Sequence, residues 1–197
     1  MEDVSRFLQR NYPPDAKAFV DVLYRDLVEL RRSMAMSAKQ FYDASGKPWG
    51  EDQISNHIRA VLDASAMNRV TSVIREAGTR GHVDITVVQS RLNATWIAEA
   101  KLSDGPEYLS GGLSQLQSRY ASGFEPDVAL LIYCFGVRAK SALKNWRDHL
   151  GTSKLEGYIR DWDSDDLSFW SEHEHLGTGI HLRTRHLIFP LYFAPER

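Results

Sequence analysis

Three features of the sequence predict an α/β fold, a central mixed β-sheet flanked by helices. Two segments with helical spacing come first, at 15–37 and 51–65. Three strand-like segments follow one another between 68 and 102. A helix-like stretch then leads into a nearly continuous apolar run, PDVALLIYCF at 126–135. Such a run suits a strand buried on both faces, and a helix between two strands implies a crossover connection with parallel neighbours.

Each element has its own local reason. After the YPPD turn, Phe19, Val22, Leu23, Leu27 and Leu30 form one stripe of the first helix. DASGKPWG at 43–50 is a loop by its Gly, Pro and Ser content. The second helix, EDQISNHIRAVLDAS, turns Ile54, Ile58, Val61 and Leu62 inward. NRVTSVIREAG, HVDITVV and ATWIAEAKL carry strand propensity, and GTRG and QSRLN connect them. SGGLSQLQSRYASG, 110–123, reads as a helix that begins near its glycines. RAKSALKNWRDHL at 138–150 reads as a helix with a basic face. The polar, acidic 160–179 reads as an ordered loop with some short structure, and IHLRTRHLIFPLYF at 180–193 as one or two closing strands. No repeat, low-complexity tract or linker interrupts the chain. Residues 1–197 are therefore expected to form one domain: a helical extension at 1–45, a core at 50–136 and an elaboration at 137–197.

Composition narrows the function. With 43% hydrophobic residues and a formal net charge of −2, the chain is not a wholly basic nucleic-acid binder, although one basic face remains compatible with it. The longest apolar run, 128–135, is far too short to span a bilayer. A single cysteine, Cys134, cannot form an internal disulfide, and the polar N-terminal stretch lacks a signal core. A cytoplasmic protein with no membrane partner is the expectation.

The chemistry concentrates in HVDITVVQSRLNATWIAEAKL, 82–102. Alternate residues of a strand share a face, so Asp84 and Thr86 point away from Val83, Ile85 and Val87. In the next strand Ile97, Glu99 and Lys101 share a face opposite Trp96, Ala98, Ala100 and Leu102. Antiparallel pairing brings Asp84 beside Glu99 and Lys101. Two adjacent carboxylates repel unless a cation sits between them. Mg²⁺ accepts few carboxylates and leaves the rest of its shell to water and phosphate oxygens. A nearby lysine orients or activates water, or offsets developing negative charge. An isolated acid-x-Lys triplet is more often a solvated cross-strand ion pair; here the surrounding order of elements adds to the motif.

That order and these residues resemble the PD-(D/E)xK nuclease superfamily, whose restriction-endonuclease-like core runs helix, three strands, helix, strand. GHVDI, with Asp84, is similar to the first motif without its usual proline. EAK, with Glu99 and Lys101, is similar to the second. The resemblance covers roughly residues 50–136. It implies Mg²⁺ or Mn²⁺ held by Asp84, Glu99 and the carbonyl of Ala100, with Lys101 as the catalytic lysine. Glu51, preferred over Asp52 in GEDQISNHI, would complete the site. GGLSQLQSRY resembles the helix after the catalytic strand, where a glutamine and a tyrosine approach the site. Gln115 and Tyr120 are the matches, but their spacing departs from the common Gln-x-x-x-Tyr form. The implied function is phosphodiester hydrolysis, as a DNA endonuclease acting on double-stranded DNA in restriction, phage defence, mobile-element maintenance or repair. A homodimer or larger assembly would suit cleavage of both strands. The alternatives are a nuclease-fold binding or assembly module without turnover, and an ordinary interaction domain.

Arg75, Arg80, Arg91 and Arg119 are expected around the site as backbone contacts for DNA, and Arg138, Lys140, Lys144 and Arg147 form a second basic face. Backbone N–H groups after SGG offer a further phosphate contact. Other motifs are weaker. His173, His175, His181 and His186 match no familiar zinc spacing. Asp161, Asp163, Asp165 and Glu172 have a calcium-loop spacing, but Asp166 stands where glycine is needed. Trp146, Trp162 and Trp170 are more readily core residues than base-stacking ones, and Cys134 is read as inert core.

Overall fold

The computed structural model describes residues 12–66, 71–74, 83–125, 127–155 and 157–194. Among these residues four helices flank one seven-stranded sheet: α1 (Ala16–Met36), α2 (Glu51–Ala66), α3 (Pro106–Gln115) and α4 (Ala139–Ser153). The strands are β1 (Thr71–Ile74), β2 (Ile85–Gln89), β3 (Ala94–Leu102), β4 (Val128–Cys134), β5 (Tyr158–Asp165), β6 (Ser168–Glu174) and β7 (His181–Pro190). Their spatial order is β1-β2-β3-β4-β7-β6-β5. β3, β4 and β7 are parallel neighbours, whereas β1–β2–β3 and β5–β6–β7 are antiparallel meanders. The sheet is open, mixed and covered on both faces. No helix among the described residues is long and apolar enough to cross a membrane.

The two layers follow from strand alternation. Trp96, Ala98, Ala100, Leu131, Tyr133 and Phe189 face α1 and α2, packing on Leu23, Leu27, Ile54 and Ile58. Leu130, Ile132 and Ile188 face α3 and α4, packing on Leu113, Leu143, Trp146 and Leu150. Small residues at 98, 100 and 129 let the first pair of helices approach closely. The N-terminal helix thus belongs to the main core. Asp15 caps it by accepting the Ala18 N–H at 2.8 Å, and the Tyr24 hydroxyl donates to the Val128 carbonyl.

Three expectations are corrected. Helix α3 begins at Pro106, so Gly111 and Gly112 lie in its interior rather than at its start. The proline occupies the first helical position, where a missing N–H costs nothing. The phosphate contact expected at those glycines is therefore lost. The acidic 160–179 is not a loop: it is largely the β5–β6 hairpin. Trp162 and Trp170 are cross-strand partners with stacked rings 6.2 Å apart. Every acid of the calcium-like spacing is matched by an arginine: Asp161 and Asp163 by Arg147, Asp165 by Arg31, and Glu172 by Arg160. An irregularity between Asp163 and Asp165 turns Asp165 to the opposite side of the sheet. Finally, Asp84 lies one residue before β2, which begins at Ile85.

Candidate active site

The antiparallel ladder between β2 and β3 ends at Ile85–Ala98. Beyond it the Ala100 N–H, directed toward the missing partner, donates to Asp84 Oδ2 at 2.8 Å. A residue's N–H and C=O leave a strand on the same side, so the Ala100 carbonyl faces the same gap. Glu99 comes from the other face of β3 and is 3% exposed. Its Oε1 accepts from Lys101 Nζ at 2.7 Å, while Oε2 is enclosed and has no hydrogen-bond donor. Burial first, and the neighbouring Asp84 charge second, push Glu99 up to about 7. Burial likewise raises Asp84, against the Ala100 N–H and the Lys101 charge. These are two carboxylates in one poorly hydrated gap.

Lys101 spans this pair and a third acid. Its ammonium is 2.7 Å from Glu99 and 3.8 Å from Glu51 Oε2. Burial pulls the lysine down, but the Glu99 bond and the charges of Glu99, Glu51 and Asp84 outweigh it and hold it above its ordinary value. Glu51 opens α2, where the helix dipole favours an acid, and Gln53 Oε1 accepts the Gly50 N–H in half of a capping box. The Tyr108 hydroxyl donates to Glu51 Oε1, and the Tyr108 ring centre lies 5.7 Å from the lysine nitrogen. The bond to Glu51, before any burial, moves that phenol up to about 12. One turn further along α3, Gly112 leaves room for the lysine stem. A Cβ there would lie 2.7 Å from Lys101 Cγ and 3.0 Å from Cε.

Whether this set fits a divalent cation is a question of donors. Among the described residues no group of three or more His, Cys, Asp or Glu side chains is arranged to hold a metal ion. Lys101 stands between the carboxylate pair and Glu51, so Glu51 faces the lysine. The pair itself fits Mg²⁺ or Mn²⁺, which need only one or two protein carboxylates and keep water on their other positions. The enclosed, donorless Glu99 Oε2 is an orphan that a cation would satisfy.

Other predicted residues divide into near and far. Tyr120 is close: burial first, then the Glu99 and Asp84 charges, raise its phenol. Gln115 lies on the helix stripe of Tyr108 and Gly112. It leads into a π turn, Leu116–Tyr120, closed by the Ala121 N–H on the Leu116 carbonyl at 2.8 Å. The wider turn absorbs about one residue, so Gln115 and Tyr120, five apart, align nearly as residues four apart do in an α-helix. Arg119 is exposed beside Tyr120. Arg91 is distant: it sits in the β2–β3 turn, more than about 15 Å along β3 from Glu99, and bonds the Pro13 carbonyl. Arg75 and Arg80 lie outside the described residues. The basic face of α4 is largely neutralised, with Lys140 on Asp166, Lys144 on Asp148 and Arg147 on the hairpin acids. The histidines do not converge. His173 and His186 share Ser171 Oγ, His175 bonds Thr178 and the Ala121 carbonyl, and His181 faces Glu172. Trp146 is buried and donates to His186 Nδ1, and Cys134 is buried and free.

Tyr108 carries no signal in the sequence analysis, and Gly112, expected there as a phosphate contact, instead makes room for the Lys101 stem. Tyr108 and Gly112 are four residues apart and share one face of α3, a relation visible only once the helix is seen to begin at Pro106. Comparison with protein-family models, with curated proteins and with solved structures found no match to this chain.

Proposed function

We propose that the chain is a metal-dependent phosphodiesterase acting at Asp84, Glu99 and Lys101, with a restriction-endonuclease-like core. The observation that carries this reading is the paired, desolvated carboxylates with one donorless oxygen, at the end of a strand ladder and beside a lysine. The described element order from α2 to β4 is helix, three strands, helix, strand, which supports the resemblance. Double-stranded DNA as substrate, endonucleolytic action and a role in defence, mobile elements or repair rest on that resemblance alone.

Asp84 and Glu99, with the Ala100 carbonyl, would hold Mg²⁺ or Mn²⁺. Such an ion supplies a more acidic water and charge compensation for a phosphate. Lys101 is kept as an ammonium by its acidic neighbours, so it acts as a hydrogen-bond donor and counter-charge rather than as a proton acceptor. Tyr120, near Glu99 and Asp84, and the exposed Arg119 would contact the nucleic-acid backbone.

The test is incubation of supercoiled plasmid with wild type, Asp84→Asn and Lys101→Ala, with and without Mg²⁺. Wild type should nick only with the ion, and either variant should lose about a hundredfold or more. Equal nicking by wild type and Lys101→Ala overturns the assignment. A second reading is a nucleic-acid-binding module without turnover, in which the Lys101 ammonium stays paired with Glu99 at 2.7 Å. It predicts unchanged DNA retention by Asp84→Asn and no cleavage by any form.

A further inference from the structure

The ammonium of Lys101 has two places to rest, and only one belongs to the carboxylate pair. Its stem is pinned in the notch at Gly112, while its head has a short bond to Glu99 and a longer approach to Glu51. The Tyr108 hydroxyl donates to the other Glu51 oxygen and favours the orientation in which Glu51 faces the lysine. The oxygen left over, Oε2, faces the lysine. The Tyr108 ring supplies a further favourable surface within cation–π range. Closing the 3.8 Å separation to a charge-assisted bond requires the ammonium to move only about 1 Å, by rotation at the end of its stem.

We propose that Glu51 and Tyr108 form a receiving seat for the Lys101 ammonium, which withdraws into it when a divalent cation takes Glu99; Glu51 is then a positioning residue for the lysine and not a metal ligand. This rests on Asp84 and Glu99 being the cation site. Lys101 is a resident cation on Glu99, and an incoming divalent ion must displace it. The seat lowers that barrier and returns the lysine to a defined position beside the reacting phosphate. Tyr108, which is 42% exposed, fixes the seat.

The test is Mn²⁺ binding by titration calorimetry to the full chain, without nucleic acid, in a double-mutant cycle. Lys101→Met should bind Mn²⁺ about tenfold more tightly, because the competing charge is gone. Glu51→Gln should weaken binding about fivefold while Lys101 is present, but by less than about twofold in the Lys101→Met background. Tyr108→Phe, which keeps the ring, should behave as a milder Glu51→Gln. Equal weakening by Glu51→Gln in both backgrounds means that Glu51 acts on the ion itself, by ligation or by its charge, rather than through Lys101, and overturns the proposal. So does weaker binding by Lys101→Met. If wild type takes up no Mn²⁺, or if Asp84→Asn leaves uptake unchanged, the site assignment itself falls and the seat with it. Circular dichroism of each variant separates these outcomes from misfolding.

Discussion

Replacing Glu99 with glutamine keeps the size of the side chain and removes its charge from a site where burial and Asp84 oppose that charge. In the folded chain Glu99 is raised from 4.5 to about 7. Above its unfolded value the unfolded chain gives up this proton, while the folded chain holds it until about pH 7. The folded state therefore binds more protons in that window, and its stability falls as pH rises through it. At about 1.4 kcal/mol per pH unit, the loss for this largely enclosed group is roughly 3 kcal/mol by pH 8. Glu99→Gln escapes it. Urea denaturation in the presence of a chelator should give nearly equal stabilities near pH 5. Near pH 8 the variant should lead by up to about 3 kcal/mol. Saturating Mn²⁺ should reverse the order at high pH, because the ion stabilises only the form that binds it. If Glu99→Gln is instead less stable by the same amount at both pH values, Glu99 is a satisfied partner of Lys101 and the strained-pair argument is wrong.

Two further outcomes follow from the same geometry. Gly112→Ala should cut plasmid nicking by about tenfold or more by displacing the Lys101 stem. Its melting temperature should change by only a few degrees, since alanine is the better helix residue by up to about 1 kcal/mol. Unchanged nicking would show that the lysine position does not depend on the notch. His173 works in the opposite direction from Glu99. Burial lowers it from 6.5 to about 4, so stability is lost as pH falls through that range, by roughly 3 kcal/mol. His173→Phe should flatten the acid limb of a stability–pH profile measured by urea denaturation, and an unaltered limb would count against the buried neutral histidine.

The buried hydrogen-bond chain around His173 shows why such a residue is opaque in sequence. Trp146 Nε1–H donates to His186 Nδ1, which leaves His186 Nε2–H to donate to Ser171. Ser171 must then donate to His173 Nε2, and the enclosed His173 Nδ1 is left without a partner. Trp146 lies 40 residues from His186, and nothing local in WRDHL or TRHLIF signals the contact. The acidic segment at 160–179 failed for a related reason. Its charges argue for solvent when counted alone, but Arg31 and Arg147, on two different helices, supply partners that make strands tolerable. Asp84, Glu99 and Lys101 were legible because strand alternation and a short hairpin bring them together within twenty residues, with no long-range information required.

What the sequence determined by itself was whatever periodicity and short-range pairing encode. Helices α1 and α2, strand β3 with its exact ends, the doubly buried β4, and the neighbourhood of Asp84 and Glu99 belong to this class. The tertiary structure alone decided what depends on distant segments meeting. It inserted β7 beside β4, set Lys140 and Arg147 of α4 against acids of the β5–β6 hairpin, and put Tyr108 and Gly112 around a lysine. The physical reason is the range of the forces: backbone geometry repeats every two or nearly four residues, whereas burial, charge pairing and the absence of a single Cβ act only between surfaces that folding has already brought into contact.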